Sequence, residues 1–82
     1  MSWDLQNWNI RPSKHFVLGW MKKWDWTTDS IRTAIEMAHR IDKVGKTKYE
    51  AYTHQGKGSK KIIFVKDEER REIFVITGAE GT

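Results

Sequence analysis

The stretch "KKIIFVKDEERREIFVITG", residues 60–78, contains two apolar runs separated by a charged turn. Both runs, 62–65 and 73–76, are short and rich in isoleucine, valine and phenylalanine, which is typical of β-strands. Because successive side chains of a strand point to opposite faces, these consecutive apolar residues place apolar groups on both faces. We therefore predict two neighbouring strands, at about 60–67 and 70–77, in a sheet that needs cover on both faces.

The segment at about 46–54 predicts a third strand before this pair. Its residues alternate between two faces, with Tyr49, Ala51 and Thr53 on one face and Lys48, Glu50 and Tyr52 on the other. The stretch "QGKGS", residues 55–59, has the composition of a hairpin loop and joins this strand to the next. The three strands are therefore expected to form an antiparallel meander.

A first helix is predicted at about 13–24. Its apolar stripe includes Phe16, Trp20 and Trp24, which recur four positions apart, and Ser13 is the expected N-cap. On this spacing the two tryptophans belong to the core rather than to a base-stacking surface.

A second helix is predicted at about 28–44, with Thr27 or Thr28 as its N-cap. Basic side chains between 39 and 43 suit the negative end of the helix dipole, and Gly45 is the expected stop. The apolar face of this helix consists of Ile31, Ala34, Ile35, Ala38 and Ile41 or Met37.

The order of these elements predicts one α+β domain over residues 13–82, after a lead-in at 1–12 that is irregular or forms a short edge strand. Two N-terminal helices would pack on one face of a three- to four-stranded antiparallel sheet. Since the helices can cover only one face, the other face needs a different cover. The candidates are the tryptophan-containing N-terminal segment, a second subunit and a partner protein.

Composition limits the class of protein. The chain has 82 residues, a formal net charge of +4 and no cysteine, so disulfides and thiolate metal sites are excluded. We expect a soluble, cytoplasmic protein, because the sequence contains no secretory signal and no apolar stretch of membrane-spanning length. The histidines lack metal-ligand spacing, so no metal or other cofactor is predicted.

Two residues are candidates for acid–base chemistry. His15, at the start of the first helix, carries an imidazole that exchanges protons near pH 7, although a lone histidine there is often only a surface residue. Tyr49, or alternatively Tyr52, offers a phenol that can donate a hydrogen bond or stack on a base. Cleavage of RNA by its own 2′-hydroxyl needs no protein nucleophile, only a base, an acid and a cation for the phosphate.

Basic side chains supply candidate phosphate contacts. The net charge is compatible with binding to nucleic acid or to an acidic protein, although many soluble domains carry as much charge for solubility. The predicted nucleic-acid-binding residues are Lys23, Lys48, Lys57, Lys60, Lys61 and Arg71.

Several motifs follow one another between residues 13 and 78: Ser13-Lys14-His15, Lys22-Lys23, "TTDSI" at 27–31, Gly45 to Tyr49, "KKIIFVKDEE" at 60–69 and "EIFVITG" at 72–78. In this order the chain resembles a small prokaryotic domain family related to the BrnT-like and RelE-like toxins. The resemblance implies a helix–helix–sheet fold, an RNA-directed activity and an antitoxin-like protein partner. The family's arginine four residues after the histidine is Gly19 here, which leaves Lys23 as the cation of that segment.

Three functional hypotheses follow. The first is a toxin-like, RNA-directed domain of a toxin–antitoxin-type module, with or without metal-independent endoribonuclease activity. The second is a non-catalytic, basic nucleic-acid-binding module. The third is a protein-interaction module that forms a homodimer through an apolar sheet face. None of the three involves a membrane.

Overall fold

The structure, a computed structural model, describes residues 3–54 and 58–81 and confirms the α+β class. The helices lie between one short strand at the start of the described chain and four strands that follow them. The elements are β1 (Asn9–Pro12), α1 (Lys14–Phe16), a π-helical segment (Val17–Met21), α2 (Lys22–Trp24), α3 (Thr28–Glu36), β2 (Arg40–Lys43), β3 (Lys48–Thr53), β4 (Lys60–Asp67) and β5 (Glu72–Glu80).

The strands form one five-stranded sheet in the order β1-β5-β4-β3-β2. The meander from β2 to β5 is antiparallel, but β1 runs parallel to β5, with Asn9 opposite Glu72. The predicted meander of three antiparallel strands is observed, but the sheet has five strands rather than three to four, and the parallel β1 makes it mixed rather than antiparallel throughout. The lead-in forms a short edge strand, one of its two predicted forms, and Ile10 is buried where β1 adds to the outer edge of β5. The strand beyond the predicted four is β2, which lies in a stretch predicted to be helical.

The second helix is shorter than predicted, because α3 ends at Glu36 and residues 40–43 form β2. The Thr27 cap is confirmed, and of the two alternatives for the end of the apolar face Met37 is 74% exposed, whereas Ile41 packs against the core, as does Ala38. Ile41 pairs with Ala51 of β3, and this pairing outweighs the helical spacing.

The predicted helix dipole contact at 39–43 is consequently wrong. The backbone N–H of His39 donates to the carbonyl of Tyr52, and Arg40 lies in β2. Gly45 is not a helix stop either, since it lies in the turn between β2 and β3.

The first helical stretch begins at its predicted cap. The Ser13 hydroxyl oxygen accepts a hydrogen bond from the backbone N–H of Phe16 (3.1 Å) and donates to the Ile76 carbonyl of β5 (2.7 Å). The stretch passes through the π-helical segment and ends at Asp25, whose φ of 58° is left-handed. Ser13 thus both starts the helical stretch and ties it to β5.

The core lies between the helices and one side of the sheet. In the sheet the inward residues include Ile62, Phe64, Ile73 and Val75, all 0% exposed. Against them pack Leu5, Phe16, Ile31, Ala34 and Ile35.

The N-terminal segment covers this same side of the sheet. The Trp3 ring meets the Phe64 ring edge-on, with centroids 5.5 Å apart. The Arg32 guanidinium donates to the carbonyls of Leu5 and Trp8, and Glu36 accepts from the Leu5 N–H (2.8 Å). The segment therefore packs on the covered side of the sheet and not on the other side; cover of that other side by a second subunit or a partner stays a prediction.

We call the uncovered side of the sheet the open face. Its apolar side chains, such as Ile63, Val65 and Phe74, are half-buried by their neighbours in the sheet. The open face consists of Lys48, Glu50 and Tyr52 of β3, Lys61, Ile63, Val65 and Asp67 of β4, and Phe74, Thr77 and Ala79 of β5. None of the helices in the described part of the chain is long and apolar enough to cross a membrane.

Candidate functional site

A cleft of about 380 Å³ lies between the first helical stretch and β5. This volume falls in the range of small-molecule sites, which begins at roughly 300 Å³. The cleft is lined by His15, Gly19, Trp20, Lys23, Thr77 and Gly78.

The cleft forms where β5 loses its neighbour. The register of β1 ends with Pro12 opposite Val75, so beyond that point no strand of the described residues lies beside the outer edge of β5. The helical stretch crosses this edge, and Gly78 allows it to approach closely. A Cβ at Gly78 would lie 3.0 Å from Phe16 Cε1 and 3.1 Å from Trp24 Cη2.

Glycine has a different role at position 19. A Cβ there would meet nothing within 4 Å, so Gly19 faces open space rather than a packed neighbour. The π-helical segment that contains it widens the helix at the cleft, and such segments are often found at functional sites. Gly19 therefore leaves open space at this wall of the cleft.

The cleft contains an ion pair at its rim. The Lys23 ammonium lies 2.8 Å from Glu80 Oε1 and 5.4 Å from the centre of the Trp20 ring. The Trp24 indole N–H donates to Glu80 Oε2 (2.8 Å). These two hydrogen bonds hold the pKa of Glu80 below its usual value, and the bond from Lys23 has the larger effect.

Trp20 lines the cleft as well as packing on the protein. Its ring lies 5.1 Å from that of Trp24, and it is only half-buried. The prediction that assigned it to the core alone is therefore incomplete. His15 is exposed at the same cleft, which places an imidazole, an ammonium group and an indole around one space.

Tyr49 does not share this site with His15. Tyr49 is half-buried on β3, two strands away from β5, and its ring stacks on Phe64 (5.7 Å) and meets the edge of Trp3 (5.0 Å). Tyr52 lies on the open face, where its hydroxyl donates to Glu50. A hydrogen bond to that carboxylate raises the pKa of the Tyr52 phenol.

The predicted phosphate contacts are spread over several places. Lys23 is at the cleft, Lys48 and Lys61 are on the open face, and Arg71 is in the exposed turn between β4 and β5. Lys60 is 3% exposed, with its ammonium 5.5 Å from the centre of the Trp24 ring. Lys57 and part of the predicted loop at 55–59 lie outside the described residues.

A larger depression, of about 510 Å³, lies between the N-terminal segment and α3. Its charged lining residues are Asp4, Asp29, Arg32 and Glu36. Its three carboxylates outnumber the one guanidinium, which is bonded to backbone carbonyls, so this depression is acidic and unsuited to a polyanion. Among the described residues, no three histidine, aspartate or glutamate side chains are grouped to hold a metal ion.

Sequence reasoning missed the contribution of β5 to the cleft. The residues Thr77 and Gly78 follow the apolar run of β5, and Gly78 gave a local signal because glycine inside a strand often marks a close approach. No sequence pattern indicated which element would approach it.

Comparison of the chain with protein-family models, curated proteins and solved structures found no match. The toxin-like family resemblance therefore stays a prediction.

Proposed function

We propose that the protein is a non-catalytic RNA-binding module that holds one nucleotide of a single strand in the cleft. The observation that carries the proposal is the grouping of His15, Trp20 and Lys23 around a space of about 380 Å³. An indole can stack on any base, and an ammonium and an imidazole can contact the adjoining phosphate.

The charges of the cleft suit an anion that competes with a carboxylate. Lys23 now bonds to Glu80, and a phosphate oxygen offers the same acceptor chemistry with more charge. A phosphate that takes the place of Glu80 at Lys23 keeps the ammonium paired. The net charge of +4 adds a general attraction for polyanions.

The separation of His15 and Tyr49 supports binding rather than cleavage. General acid–base catalysis needs both groups within hydrogen-bond reach of the reacting atoms. Tyr49 is packed between Trp3 and Phe64 and does not line the cleft. The toxin-like activity and the antitoxin-like partner therefore stay predictions from the sequence.

Fluorescence anisotropy with a labelled, mixed-sequence single-stranded RNA tests the site. Lys22 and Lys23 are adjacent exposed lysines, but only Lys23 lines the cleft. Lys23→Gln should weaken binding about tenfold, which corresponds to about 1.4 kcal/mol, and should lower the salt slope by about 0.7. The matched variant Lys22→Gln should change the affinity by less than about twofold.

Two further variants separate stacking from charge. Trp20→Leu keeps an apolar side chain but removes the stacking surface, which is worth about 1–3 kcal/mol per base. Glu80→Gln should strengthen binding, because it removes the carboxylate that competes for Lys23. Equal losses from Lys22→Gln and Lys23→Gln would show that binding is diffuse and would overturn the proposal.

The non-catalytic part has its own test. After incubation with the protein, the RNA should remain full-length on a denaturing gel. Cleavage that His15→Gln abolishes would instead establish the endoribonuclease hypothesis and refute this part of the proposal.

A further inference from the structure

Among the described residues, no helix and no second layer of strands packs on the open face, although its centre is apolar; the Arg11 guanidinium lies over the Phe74 ring at its edge, 4.3 Å from the ring centre. The outward side chains of β4 are Lys61, Ile63, Val65 and Asp67. Ile63 and Val65 are half-buried, and Phe74 of β5 lies opposite Val65. A partner that packs on this centre removes more apolar area from water.

The charges around this centre are balanced. On and beside the open face, Arg11 pairs with Glu72 (3.0 Å) and Arg40 with Asp42 (2.9 Å). Lys48 and Lys61 are matched by Glu50 and Asp67. A nucleic acid needs an excess of cations, so the balance favours a protein partner.

The order of the charges along β4 is self-complementary. Along β4 the outward residues read cation, apolar, apolar, anion, from Lys61 to Asp67. Consider two copies with their open faces together and a twofold axis that lies between the two sheets, parallel to them, and crosses β4 at a right angle between Ile63 and Val65. This axis places Ile63 of one copy on Val65 of the other. The same rotation places each Lys61 against an Asp67.

The neighbouring strand shows the same complementarity. Lys48 lies opposite Val65 and Glu50 lies opposite Ile63, so β3 has a cation and an anion on either side of the same axis. The rotation therefore places Lys48 of one copy against Glu50 of the other. A twofold axis parallel to the strands, between β4 and β5, would instead place Glu72 of one copy against Asp67 of the other, and these two carboxylates repel each other.

We infer that the open face packs against a second copy of this chain, with the two β4 strands antiparallel and Lys61 of each copy paired with Asp67 of the other. Two sheets pack face to face about 10 Å apart and cross at about 30°, so the contacts nearest the axis keep this register. The three strands of the open face, about 4.8 Å apart, give a contact roughly 15 Å wide. An interface at the low end of the specific range, about 1,200 Å² in total, is consistent with a dimer that dissociates at micromolar concentration.

Charge reversal tests the register by sedimentation equilibrium. Wild type should dimerise at micromolar concentration, and Lys61→Glu and Asp67→Lys should each weaken self-association at least tenfold. An equimolar mixture of these two variants should form a heterodimer, because both contacts then join opposite charges. The double variant Lys61→Asp, Asp67→Lys should dimerise alone.

Controls separate this register from general charge effects. Lys14→Glu makes the same charge change on an exposed helical position and should leave dimerisation unaffected. Because Asp67 also accepts the Arg70 N–H in its turn, Lys48→Glu and Glu50→Lys give a second pair without that contact. Recovery in the mixed samples shows that the variants fold.

Two results would overturn the inference. One is a wild-type protein that stays monomeric up to about 100 μM, well above the expected micromolar range. The other is retention of full self-association by the single charge reversals. Neither result bears on RNA binding, because none of the reversed residues lines the cleft.

Discussion

The two faces of the sheet have similar apolar side chains but different surroundings. Ile62 and Phe64 face the helices and are 0% exposed. Ile63 and Val65, the next residue after each of them, are only half-buried on the open face. The helices and the N-terminal segment cover the first face. An apolar run in a strand therefore indicates that cover is needed on two sides, but residues 3–54 and 58–81 supply it on one.

The largest expected difference comes from two adjacent isoleucines. Ile62→Ala should lower the free energy of unfolding by about 2–5 kcal/mol, because it leaves a cavity in the core. Ile63→Ala should lower it by only about 1 kcal/mol in the monomer. Urea unfolding at submicromolar protein concentration measures both, and equal losses would contradict the assignment of the two faces.

Two glycines test how closely the first helical stretch approaches β5. Gly78→Ala should destabilise the protein by about 1–3 kcal/mol, because Phe16, Trp24 or the Lys61 carbonyl must move. Gly19→Ala has open space and should stabilise the helical stretch by up to about 1 kcal/mol. Thermal unfolding compares them, and a harmless Gly78→Ala would mean that the helical stretch does not rest on β5.

Two helix caps show whether the covering layer is tied to the sheet. Ser13→Ala should cost about 1–2 kcal/mol, since it removes a cap and a bond to the Ile76 carbonyl. Thr27→Ala removes a cap without a bond to a strand and should cost about 1 kcal/mol. A larger loss for Thr27→Ala in chemical denaturation would contradict the role of Ser13.

The smallest effect concerns the ion pair at the rim of the covered face. Since the folded pKa of Glu80 lies below the usual 4.5, the carboxylate stabilises the fold above pH 4.5. This contribution is lost as the pH falls through the folded pKa. The melting temperature of Glu80→Gln should thus fall slightly below that of wild type at pH 7 and match it in strong acid. A difference that persists in acid would exclude the carboxylate as its cause.

Local patterns predicted much of the fold. The bounds of β4, the alternation of β3 and the caps Ser13 and Thr27 depend on neighbouring residues, and the structure agrees with each. The end of α3 was missed because Ile41 fits a helical stripe as well as a strand, and only pairing with Ala51 decides between them.

The candidate site was predictable only in part. His15 and Lys23 were identified from residue type and helical spacing, and they do line one cleft. The wall of the cleft formed by β5 depends on where β1 ends beside β5, and this pairing brings together residues that are distant in the chain. For the same reason nothing in the sequence indicated that Tyr49 would pack against Trp3.

The parallel pairing of β1 with β5 also has a consequence for how the chain folds. Asn9 and Glu72 are 63 positions apart, whereas the antiparallel strands follow one another through short connections. Contacts between distant residues form later than local ones, so β1 should dock after the meander has assembled. During synthesis β1 emerges before its partner strand exists. The apolar residues around it, including Trp8 and Ile10, would therefore be exposed to chaperones and proteases in the newly made chain.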